Sequence, residues 1–80
     1  MNGPQAIAIY PLTPWLIAQL AYDRVRATLR SDGLSSRAVE DWLENACQQL
    51  AGQSFTSLAA DWRFALHLEQ TVHGNAHPHY

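Results

Sequence analysis

Eighty residues, 48% of them hydrophobic, with a formal net charge of −2, describe one small domain, because independent cores usually need on the order of 100 residues each. The lone cysteine, Cys47, excludes an intrachain disulfide, and no Cys/His set has the spacing of a structural zinc site. Five arginines, no lysine and seven acidic residues lack the basic excess that phosphate neutralisation demands of a duplex-DNA binder.

The head of the chain, residues 1–12, carries Gly3, Pro4 and Pro11 around Ala6-Ile7-Ala8-Ile9-Tyr10. That alternation of small and large apolar residues suits an extended arm, which would lie across a helical bundle or pair with a second chain. A first helix over about 14–30 is predicted, with Thr13 as N-cap, Pro14 at the first helical position and Ser31-Asp32-Gly33 as the stop. Trp15, Ala18, Ala21, Tyr22, Val25 and Leu29 share one face, whereas Leu16, Ile17 and Leu20 lie on the far side. The first half of this helix is therefore apolar nearly all round, and something must cover its second face.

A second helix over about 36–51 opens at Ser35 or Ser36 and closes at Gly52. Val39, Trp42, Leu43, Ala46 and Leu50 form its apolar face, with Ala38 and Cys47 at the margins and Glu40, Asp41, Glu44, Asn45 and Gln48 opposite. A third helix over about 57–72 follows Ser54-Phe55-Thr56-Ser57 and ends at Gly74-Asn75. Its apolar arc, through Leu58, Trp62, Phe64, Ala65, Leu66, Leu68 and Val72, is roughly twice the stripe that a surface helix needs. Residues 74–80 read as a flexible, His-containing tail.

The chemistry-bearing groups are few. His73, His77 and His79 have a chelating spacing, but they sit at the chain end without the supporting partners that fix a metal site. Cys47 lies a helical turn from Glu40, Glu44 and Ala51, which disfavours the thiolate, so it reads as a structural thiol. The carboxylates of the second helix face solvent without a cleft, and no Gly-rich phosphate loop is present. No catalytic residue, metal or cofactor is expected, and the chain reads as a non-enzyme.

The expected fold is an all-α, three-helix bundle-like domain with an extended N-terminal arm, forming a dimer. Surplus apolar side chains make a partner interface of Trp15, Leu16, Leu20, Phe64, Leu68 and Val72, flanked by an electrostatic patch of Arg24, Arg26 and Arg30. The function this implies is a small, non-catalytic regulator, adaptor or inhibitor that docks onto another protein, a homodimer being the simplest assembly. The alternative is a helix-turn-helix regulator reading DNA with Arg63, His67 and Gln70 of the third helix. Against it stand the long link from Gly52 to Ser57 and an acidic second helix where phosphates would approach. With no apolar run of membrane length and no secretion signal, a cytoplasmic protein is expected. The Arg- and Ala-rich, Lys-free composition suggests a bacterial or phage gene.

Overall fold

The computed structural model describes residues 13–76, which form four helices and no strand: α1 (Pro14–Ser31), α2 (Ser36–Ala51), α3 (Phe55–Leu58) and α4 (Trp62–Ala76). The arm expected over residues 1–12 lies outside the described residues, as do residues 77–80 of the tail. No helix among the described residues is long and apolar enough to cross a membrane.

The ends of α1 and α2 follow local chemistry. Thr13 is extended, and its hydroxyl accepts from the Leu16 N–H at 3.2 Å, with Pro14 next in line. At the other end Gly33 takes φ 98°, letting its own N–H reach the Arg30 carbonyl at 2.9 Å and the Leu34 N–H reach that of Leu29 at 3.2 Å. This reversal turns Leu34 back onto the core. Ser35 caps α2 through the Ala38 N–H at 3.1 Å, and Gly52 ends it at φ 67°.

The third predicted helix is two helices. Ser54 accepts from the Ser57 N–H at 3.2 Å and starts α3 earlier than expected. The chain then turns at Ala59-Ala60 and restarts. Asp61, which the periodicity places inside the helix, is a cap instead: its carboxylate accepts from the Phe64 N–H at 3.0 Å. Helix α4 also runs through Gly74 to Ala76 rather than stopping near Val72, and the start of the expected tail is therefore helical.

Two long-range pairs fix how α1 meets α4. Arg24 holds Glu69 and Thr28 meets His73, each across the same separation of 45 residues, so one turn up α1 matches one turn up α4 and the two run parallel. They form the most extensive helix contact in the fold. Fully buried Ala18, Ala21 and Ala65 keep the seam narrow between Tyr22, Val25, Leu29, Leu68 and Val72. Helix α2 runs the other way along α1. Glu40 pairs with Arg26 at 2.9 Å, and one turn later Glu44 accepts the Phe55 N–H at 3.0 Å, where Phe55 meets Tyr22 edge-on at 4.9 Å. The end of α2 is thereby brought to the end of the molecule where α1 begins.

Candidate functional site

The structure separates the expected interface residues into three groups, buried, half-buried and exposed. Leu68 is fully enclosed and Val72 is 8% exposed, both inside the α1–α4 core, so neither belongs to an outer surface. This corrects the expectation drawn from their spacing: with α1 parallel to α4, the Ala65–Leu68–Val72 line is the one that meets α1, and Phe64, Leu66 and Trp62 flank it half-buried. Leu16 is half-buried as well, whereas Trp15 (56%) and Leu20 (43%) remain exposed.

Helix α2 is rotated relative to its apolar pattern. Val39, Leu43 and Cys47 point inward, and Leu50, expected in the core, is 56% exposed. Glu44 turns toward the start of α3, accepting the Phe55 N–H, instead of facing solvent as a solubilising carboxylate. On the other flank, Trp42, Asn45, Ala46, Gln49 and Leu50 line a groove of about 330 Å³. Nothing in composition marks this groove. The signal that could have found it is the i, i+4, i+8 line Trp42–Ala46–Leu50, read as a second stripe beside Val39–Leu43–Cys47.

The arginine patch is largely spent within the fold. Arg24 grips Glu69 with two hydrogen bonds of 2.6 and 3.1 Å. Arg26 holds Glu40 at 2.9 Å and Asp23 at 3.2 Å while lying 5.5 Å over the Phe55 ring. Arg30 donates to the Ser36 hydroxyl at the head of α2. Among the described residues, Arg30, Arg37 and Arg63 have no carboxylate within ion-pairing distance. A smaller cleft of about 170 Å³, lined by Arg26, Arg30, Ser36, Val39 and Glu40, is braced across by the Arg26–Glu40 pair.

Hydrogen bonding from Arg24 holds the Glu69 carboxyl below its ordinary value of 4.5, against the opposing effect of its own burial. A depressed native value means that the unfolded chain takes up the proton first. The stabilisation is therefore complete above 4.5 and is lost as pH falls through the native value. Glu44 acts in the same direction, held down by the Phe55 N–H and then by Gln48. We expect the urea midpoint to fall between neutral pH and about pH 3, and Glu69→Gln to flatten that fall. An unchanged pH profile in Glu69→Gln would show that the ion pair contributes nothing.

No arrangement for covalent or metal chemistry assembles among the described residues. Burial pushes the Cys47 thiol up, with Glu44 adding to the effect, and its side chain is fully enclosed. No cluster of three metal-ligating side chains occurs among the described residues. His73 meets Thr28 at 3.0 Å, and His77 and His79 lie outside the described residues. The strip expected to read DNA, Arg63, His67 and Gln70, is exposed, with the Arg63 guanidinium 5.3 Å over the Trp62 ring. No protein-family model, curated protein sequence or solved structure matches this chain. Among the described residues, the large apolar side chains left exposed are Trp15 and Leu20 in the first half of α1 and Leu50 at the end of α2.

Proposed function

We propose that this chain is a non-catalytic docking protein, a small regulator, adaptor or inhibitor. It acts by covering part of another protein with the end of the bundle where α1 begins and α2 ends. The observation that carries the reading is the exposure of Trp15, Leu20 and Leu50 at one end of the bundle, where the other large apolar groups among the described residues are enclosed or half-enclosed. Arg30 and Arg37, near the opposite end of α2, supply charge for steering toward an acidic partner.

Magnitudes limit what this face does alone. Burying the remaining half of three such side chains yields roughly 1 kcal/mol each. Bringing two molecules together costs about 4–15 kcal/mol. A pair held by these three groups would be weak, so a homodimer needs further contact from half-buried Leu16 and Phe64, or from the arm. A shaped partner that also engages those residues is the better fit.

The test uses the full chain with Trp15→Ser and Leu20→Asp, both at exposed sites. We expect the helical circular dichroism and melting to stay near those of the parent. We expect cross-linking in source cells to lose a partner, and light scattering to show any self-association lost. A parent that is monomeric and retains no partner, or a variant that retains the same one equally, would overturn the reading.

A further inference from the structure

We infer that the groove on α2 is an interface with a second copy of this chain, the two α2 helices packing antiparallel about a two-fold axis at Ala46. The inference goes beyond the docking reading and shares only Leu50 with it.

The groove has an apolar row and a polar row. Trp42, Ala46 and Leu50 stand one helical turn apart, Trp42 and Ala46 half-buried and Leu50 56% exposed. Beside them Asn45 and Gln49 line the groove, both exposed, and Asp41 and Arg37 continue this second row toward the start of the helix.

A contact between identical copies requires a patch that complements itself, so that residue i meets j while j meets i. The α2 face has that property about Ala46. Trp42 and Leu50 both lie four residues from it, about 6 Å along the helix. Each Trp42 therefore comes opposite the Leu50 of the other copy. Ala46 meets Ala46, and two methyl groups let the axes approach to the near end of the usual range of about 8–10 Å.

The polar row obeys the same symmetry. Asn45 of one copy falls about 3 Å along the axis from Gln49 of the other, and each carboxamide carries both donors and acceptors. The row is thus neutral and able to pair with itself where the copies meet. Its charged members are kept apart, since the two Asp41 side chains would stand about 15 Å from each other along the axis. Each Arg37 falls just past the last carbonyls of the other α2, where a cation is favoured. A foreign partner would need none of this internal symmetry, whereas a second copy needs all of it. The contact is small, so the pair forms and parts with concentration.

The test is sedimentation equilibrium on the full chain from micromolar to millimolar concentration, with two variants at exposed positions of α2. The parent should move from the mass of one chain toward that of two. Asn45→Glu sets like charges together at the axis and should weaken self-association roughly tenfold or more, with unchanged circular dichroism. Asn45→Glu/Gln49→Lys places an ammonium of one copy against the carboxylate of the other and should restore the association. As a separate check, Ala46→Cys should give a disulfide-linked dimer on oxidation, and Gln48→Cys should not. In source cells Asn45→Glu should keep the partner that Trp15→Ser/Leu20→Asp loses, so either reading can fail without the other. A parent that stays at the mass of one chain throughout would overturn the inference. So would self-association that Asn45→Glu leaves unchanged, or that the double variant fails to restore.

Discussion

Leu68→Asp should leave this chain unfolded at room temperature, while Phe64→Asp should leave it folded. The two residues are one turn apart on α4 and equally apolar, but Leu68 is fully enclosed between α1 and α4, whereas Phe64 lies half-buried on the flank. Truncation at such a position, Leu68→Ala, forfeits about 2–5 kcal/mol from lost burial and the cavity left behind. A core of this size supplies only about 3–5 kcal/mol in total. A carboxylate at position 68 adds the cost of a buried, unpartnered charge, several kcal/mol more. Urea titration followed by circular dichroism decides the matter. A cooperative transition retained by Leu68→Asp would mean that α4 is not seated on α1 through this side chain.

That contrast shows where the sequence was sufficient. Chain-local chemistry was legible: Thr13 with Pro14, Ser35 and Gly52 mark helix ends that the structure keeps, since each cap bonds to groups within a few residues of itself. Asp61 falls inside the predicted helix 57–72 because an apolar period runs straight through it. Asp is a favoured N-cap residue, and here its carboxylate accepts the Phe64 N–H, so the cap prevails over that period. Which apolar stripe of α4 faces inward depends on α1 and α4 being parallel, a relation between segments 45 residues apart that no local pattern encodes. The same holds for the arginines. Arg24 and Arg26 looked available for a partner because Glu69 and Glu40 are distant in sequence. Of the candidate surface, Trp15 and Leu20 could be named from periodicity. Leu50 could not, because its spacing puts it on the same face as Leu43 and only the packing of α2 in the fold leaves it exposed.

Tyr22 should separate the weight of a hydrogen bond from that of a ring at the junction of three elements. Its side chain is fully buried, its hydroxyl donates to the Leu58 carbonyl at 2.8 Å, and its ring meets Phe55 edge-on. Burial pushes the phenol well above its ordinary value, so it remains a donor across the accessible pH range. Tyr22→Phe keeps the ring and removes the donor. The Leu58 carbonyl still accepts from the Asp61 N–H at 3.0 Å and is not orphaned. The expected loss is about 1 kcal/mol, the net worth of one such bond. Tyr22→Ala removes the ring from between α1 and α3, with a loss of about 3–5 kcal/mol that this domain barely survives. Hydrogen exchange adds a local readout: in Tyr22→Phe the amides of Phe55–Asp61 should open sooner, while those around Leu68 keep their protection. Equal losses in Tyr22→Phe and Tyr22→Ala would assign the junction to the hydroxyl. Uniformly faster exchange in Tyr22→Phe would mean that α3 has no independent opening and is welded to the α1–α4 core.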